Sequence, residues 1–255
     1  MILEDVSVLI STMNNVVPKF FIKNKGLSVV VNQTKDDDFF SEEHGWIKSN
    51  QIGLSKSRNL AIKNAKTKFC CISDNDVYYI NNYDELIVKY FNQYPNADIL
   101  LFQIKDDCDI PYKKYKDKVY KVGFFDVLKF SSIEIVFRRE SIIANNIVFD
   151  ERFGLGALYK CGEENIFLLD CLKAGLNIYS INVPLVIHPL ESSGKIIDDS
   201  YFYCRGAVFT RLYGFVIAFL IFIIFCFKKT NNYKNLFHNF ILMVKGCIDF
   251  MSNKV

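Results

Sequence analysis

Two carboxylates one residue apart, Asp74 and Asp76, close an apolar, β-prone run that starts at Phe69 and reads FCCISDNDVYY. The abrupt stop at Ser73-Asp74-Asn75-Asp76 predicts a buried strand that delivers two acids to the edge of a sheet. Hard oxygen donors at that spacing suit Mg²⁺ or Mn²⁺, which favour carboxylate and phosphate ligands. The same residues also fit an ordinary strand-ending turn, because Asp and Asn bond their own backbone. A second acid pair, Glu163-Glu164, follows the glycine-rich stretch FDERFGLGA and opens a helix that Gly175 closes. The helix dipole favours acids in a first turn, which accounts for one of the two. Glycines just ahead of them let backbone approach a ligand. His188 closes an apolar run, where a lone histidine is structural more often than it is a ligand, unless an acidic metal site lies nearby.

These residues need a scaffold, and the apolar runs supply one. Residues 6–10 (VSVLI) and 27–31 (LSVVV) are β-branched and near-continuously apolar, with room between them for one crossover. That pattern predicts a parallel α/β sheet, whose ligands bind beyond the carboxyl ends of the strands. Ser11, Thr12, Asn32 and Gln33 fall at those ends, where turn chemistry is the alternative. The stretch 53–59 (GLSKSRN) leads into a short amphipathic helix with Ser55 as N-cap. Basic side chains and open backbone N–H groups at a helix start can hold a diphosphate; a surface helix with ordinary charges is the plainer reading. Further strands are predicted at 97–104, 133–137 and 177–181, and helices at 83–94, 138–144 and 166–174. Residues 35–45 and 106–118 read as solvated loops, and 191–200 as a polar loop.

With 255 residues the chain can bury a sizeable core, and one domain plus an appendage is expected: 1–200 and 201–255. Its 31 basic and 28 acidic residues leave a net charge of +3, too weak to argue for nucleic acid as partner. The eight cysteines sit mostly inside apolar runs without metal-ligand spacing. The amino terminus carries Glu4 and Asp5 rather than a secretory signal, so reduced thiols in a cytosolic core are expected. Residues 212–227 (LYGFVIAFLIFIIFCF) carry no charge, with Arg205 and Arg211 before them and Lys228-Lys229 after. Sixteen helical residues reach about 24 Å, short of the roughly 30 Å hydrocarbon core. A membrane anchor is expected: a short or re-entrant span, or a helix lying in the interface. The competing reading is a core helix of a soluble domain.

In order, VSVLIST, GLSKSRNLAIKNA, ISDNDVYY, FDERFGLGA with GEENIFLLDCLKAG, and VIHPLESSGK resemble the motifs of family 2 glycosyltransferases over residues 5–190. The resemblance implies the GT-A nucleotide-diphospho-sugar transferase fold, a mostly parallel central sheet flanked by helices, here followed by an apolar membrane-associating helical segment. By the same resemblance Asp74 bonds the ribose and Asp76 ligates Mn²⁺ or Mg²⁺, with His188 as second ligand. Arg58 contacts the nucleotide, and Glu164 is the general base beside Glu163. Asn32-Gln33 stand where the family usually has an Asp pair for base and ribose; amides can still bond a pyrimidine edge. The implied activity is inverting transfer of a sugar from a nucleotide-sugar to a saccharide or lipid-linked acceptor, at the cytoplasmic membrane, in surface polysaccharide synthesis. Two alternatives stay open. A nucleotidyltransferase of similar fold conflicts with the glycine-free STMNNVVPK after the first strand, and a non-catalytic membrane adaptor leaves the acids at 74, 76, 163 and 164 without a purpose.

Overall fold

The computed structural model describes residues 5–24, 26–35, 45–188, 197–230 and 235–252. Most of the 35–45 loop, and the 189–196 part of the segment after the sheet, lie outside the described residues. One mixed sheet organises the molecule, in the order β3-β2-β1-β4-β8-β6-β9-β5. Its strands are β1 (Val6–Met13), β2 (Leu27–Gln33), β3 (Trp46–Ser49), β4 (Phe69–Asp74), β5 (Tyr78–Tyr79), β6 (Ile99–Lys105), β7 (Tyr120–Lys121), β8 (Ile135–Arg138) and β9 (Ile178–Ile187), with β7 pairing β9 off the main path. The half β3-β2-β1-β4 is parallel. Antiparallel β8 then joins it to β6, which runs parallel to β9. The strand expected at 177–181 runs on to Ile187 as β9, with register shifts against β6.

The parallel half explains the apolar runs: β1 is buried on both faces from Val6 to Thr12, with one apolar cluster on each side of the sheet. One face carries α1 (Phe20–Lys23) and α3 (Tyr83–Gln93). The other carries α2 (Leu54–Asn64), α4 (Arg139–Ala144) and α5 (Glu163–Lys173). The carboxyl ends of three strands come level: Ser11 pairs with Asp74 across β1–β4, and Thr12 with Asn32 across β1–β2.

After β9 come α6 (Asp199–Lys229) and α7 (Leu236–Ser252). α6 is not straight. Gly214 has φ 77° and ψ 168°, outside helical space, and the chain doubles back there. The ring of Tyr201 lies 6.0 Å from that of Phe225, and Phe209 lies 5.1 Å from Phe225. The stretch expected as a single apolar helix is therefore broken at its third residue. Val208, Phe209 and Leu212 of the first arm join Ala218, Phe222 and Cys226 of the second, and Met243 of α7, in the same apolar cluster as α5. Arg211, just ahead of the apolar stretch, pairs with Asp150 at 3.0 Å and Asp170 at 2.7 Å.

Candidate active site

A cavity of about 470 Å³ opens at the carboxyl ends of the parallel strands. Ser11, Thr12, Gln33, Asp74, Asp76 and His188 line it, with Gly156 from the glycine-rich stretch ahead of α5 and Ser132 from a turn the sequence left unassigned. A larger groove of about 1510 Å³ runs along the outer side of α2 between Lys48 and Arg211. The smaller cavity is the one on which the strand-end carboxylates converge, and that convergence makes it the candidate site.

Beneath its floor lies Arg58, only 1% exposed. Its Nη1 donates to Glu163 Oε1 at 2.7 Å, and its Nη2 donates to Asp74 Oδ1 at 3.1 Å and Ser132 Oγ at 2.9 Å. Burial alone would lower its pKa; the charges of Asp74, Glu163 and Glu164 more than offset that, so the guanidinium is held charged. The expected contact with a nucleotide requires an accessible guanidinium, and this one is enclosed. It ties the strand-end acid to the acid on α5, which lies 105 residues beyond Arg58 in the chain.

Asn32 is also enclosed. Its Nδ2 donates to Asn15 Oδ1 at 2.6 Å and its Oδ1 accepts from Asn15 N–H at 3.2 Å, which pins the turn after β1. Gln33 lines the cavity, but its side-chain oxygen accepts from Gly53 N–H at 2.6 Å at the start of α2. Ser11 accepts from Ser57 at 2.8 Å, and Thr12 donates to Val16 O at 2.8 Å. Of the residues expected to hold the nucleotide, these four brace the loops at the strand ends, and Ser11, Thr12 and Gln33 also line the cavity.

Asp76 is half-exposed, and its Oδ2 lies 3.3 Å from His188 Nε2. The hydrogen bond from His188 draws the Asp76 pKa down against the effect of burial. Among the described residues no group of three or more His, Cys, Asp or Glu side chains is arranged to hold a metal ion. The pair nonetheless presents one oxygen and one nitrogen donor to the cavity. Ions such as Mg²⁺ commonly take one or two carboxylates and complete their shell with water and substrate phosphates.

Neither acid of the α5 pair lines the cavity. Gly162, in the left-handed region at φ 87°, turns the chain into α5 and packs against Val208 of α6; a Cβ there would come within 2.6 Å of that side chain. Glu163 is buried and held by Arg58. Glu164, partly buried on the next position round the helix, has its pKa pushed up to about 8. Burial is the main cause and the charge of Glu163 the second, with Arg205 and Arg58 opposing them.

The structure corrects the expectation that the 106–118 loop only faces solvent. Tyr112 lines the cavity, and Lys113 pairs with the fully buried Glu134. Glu134 in turn accepts from Ser131 N–H in a capping box that shapes the turn carrying Ser132. The S-x-x-E spacing of Ser131 and Glu134 was a readable signal for that turn.

Residues 47–153 match the family described as Glycosyl transferase family 2. No curated protein matches the sequence. Among solved structures, the chain is similar to S. aureus TarS 1-349, with TM-score 0.61 and 16% identity over 94% of this chain and 81% of that one. It is similar also to S. aureus TarS 1-349 in complex with UDP-GlcNAc, with TM-score 0.62 and 14% identity over 97% and 81% of the two chains. The complex of the same protein with UDP gives TM-score 0.59 and 15% identity over 94% and 81%. The family match and the shared GT-A fold agree with the resemblance read from the motifs.

Proposed function

We propose that this chain, a family 2 glycosyltransferase of GT-A fold, moves a sugar with inversion from a nucleoside diphosphate donor to a hydroxyl of a saccharide or lipid-linked acceptor. The reading extends to surface polysaccharide synthesis at the cytoplasmic face of a membrane. The observation that carries it is the single linked constellation Asp74–Arg58–Glu163 beside the Asp76–His188 pair, at the level ends of parallel strands. Such a strand edge is where α/β sheets bind nucleotides. Donors with uridine diphosphate are the first to test, since the similar TarS structures hold UDP and UDP-GlcNAc.

In this reading the donor diphosphate lies in the cavity against Asp76 and His188, which would hold a Mn²⁺ or Mg²⁺ ion. A divalent cation there neutralises the charge that develops on the leaving diphosphate. Asp74, its carboxylate fixed by Arg58, faces the ribose. Glu164 accepts the proton of the acceptor hydroxyl as that oxygen attacks the anomeric carbon. A carboxylate raised toward neutrality suits this task, because a general base works best with its pKa near the operating pH. Glu163 is locked to Arg58 and holds the helix start in place.

The test is a panel of nucleotide-sugars with Mn²⁺, followed by release of the nucleoside diphosphate. Release from at least one donor, lost on chelation and in Asp76→Asn without a change in melting temperature, is expected. No release from any donor, together with no metal-dependent binding of nucleoside diphosphates by calorimetry, would leave the adaptor reading in its place. Pyrophosphate release from a nucleoside triphosphate would instead support the nucleotidyltransferase.

A further inference from the structure

We infer that the second arm of α6 lies in the plane of a lipid surface, inserted into one leaflet, and does not span the bilayer. This rests on the membrane reading above and specifies its geometry. In a straight helix residues 201 and 225 would sit about 36 Å apart, yet their rings are 6.0 Å apart because Gly214 reverses the chain. Beyond the reversal the arm comprises residues 215–229, about 22 Å of helix against roughly 30 Å of hydrocarbon.

That arm has one inward face, Ala218, Phe222 and Cys226, all fully buried. Its outward face is apolar throughout: Phe215, Val216, Phe219, Leu220, Ile223, Ile224 and Phe227 are 37–72% exposed. A surface of this extent marks an interaction site rather than scattered exposed side chains. It continues past the reversal, where the exposed Phe125 lies 5.2 Å from Tyr213 and Phe124 is 51% exposed.

The occupant is a lipid surface rather than a second copy of the chain. No exposed side chain from 215 to 227 donates or accepts a hydrogen bond, whereas a protein interface of this size carries polar contacts around its apolar centre. The exposed Lys228 and Lys229 end the arm and supply charge for anionic headgroups. α7 packs across both arms: Gly206 abuts the backbone of Met243 and Gly246 that of Tyr203 on the first arm, while Phe219 lies 5.4 Å from Phe240 and Cys226 Sγ 3.5 Å from Met243 Sδ on the second, so the second arm cannot straighten into a span without breaking that interface.

The test uses the full chain and preformed vesicles of phosphatidylethanolamine with phosphatidylglycerol. Flotation with the vesicles is expected for the wild type. Leu220→Lys combined with Ile224→Lys should weaken that binding by at least about tenfold, with an unchanged melting temperature and unchanged donor hydrolysis in solution. Asn235→Cys in a Cys108→Ser background, placed on the same vesicles, should react from outside with a membrane-impermeant maleimide. Protection of Cys at 235 would establish a span and overturn the in-plane geometry. Unaltered flotation of the double-lysine variant would overturn the assigned surface, as would its loss of self-association from a wild type that is dimeric and does not float. Neither readout requires sugar transfer, so an inactive protein that floats and labels as expected would sink the enzymatic reading and leave this one standing.

Discussion

Glu164 is where residue chemistry makes the sharpest demand. Its carboxyl must be ionised to take a proton, and burial beside Glu163 raises its pKa to about 8. Transfer should therefore be weak in mildly acidic buffer and rise with pH through about 8, read as kcat/KM across pH. Glu164→Gln should abolish transfer while metal-dependent donor binding persists, since the cavity is lined by other residues. The same raised pKa has a stability sign. The folded state holds this proton more tightly than the unfolded chain, so stability is fully present at acid pH and declines as pH rises toward and through about 8. Glu164→Gln removes that decline: its melting temperature should match wild type in acid and exceed it in alkali. A variant with full transfer, or with a lower melting temperature at high pH, would contradict the assignment. Arg58 makes a different prediction. Arg58→Ala leaves Glu163 buried without its partner, at a cost of about 3–5 kcal/mol, so denaturant titration should show a large fall in stability along with lost activity. Arg58→Lys keeps a charge but cannot reach Asp74, Ser132 and Glu163 together, and should restore only part of the stability.

At the level of elements, the strands most legible in the sequence were those buried on both faces. β1, β2, β4 and β6 each read as an apolar run, and α2, α3 and α5 as amphipathic or dipole-marked segments. β3 was missed because its four residues are all half-buried and carry no pattern, and β5 and β7 because two residues make no period. The roles of Arg58 and Asn32 were also out of reach: each is set by a partner far away in sequence that no spacing rule identifies. Gly214 stood in plain view inside the apolar tail, but an isolated glycine in a helical run costs only about 1 kcal/mol and does not announce a reversal. Gly162 shows what such a residue does when space is also short. Its φ of 87° and the 2.6 Å approach to Val208 leave no room for a Cβ. Gly162→Ala should lower stability by about 1–3 kcal/mol and displace the start of α5. Loss of transfer should exceed what the fraction unfolded explains, and partial recovery in Gly162→Ala/Val208→Ala would separate crowding from backbone strain. A fully active Gly162→Ala protein would show that the helix start tolerates movement.

In the whole molecule, packing crosses the point where composition changes. The boundary expected at residue 200 falls at the start of α6, and the first arm of that helix is part of the wall behind α5. Phe202, Val208, Phe209 and Leu212 are each at most 3% exposed and join the cluster that holds Phe167 and Leu168. Arg211 ties the arm to Asp150 and Asp170, and Lys173 of α5 donates to Leu212 O at 3.1 Å. Each of those four side chains contributes about 1.5–3 kcal/mol by burial, so together they approach the roughly 5–15 kcal/mol by which a domain is stable at all. A chain ended at residue 200 is therefore expected to lose its cooperative thermal transition, read by calorimetry and near-ultraviolet circular dichroism, and with it any donor binding. A chain carrying polar substitutions only on the outward face of 215–227 removes nothing from that shared cluster and should melt as the wild type does. The contrast matters because both changes strip apolar surface from the same tail. If the 200-residue chain instead melts within a few degrees of the full chain and still binds nucleoside diphosphate, the helices are an independent appendage, and the position of Glu164 owes nothing to them.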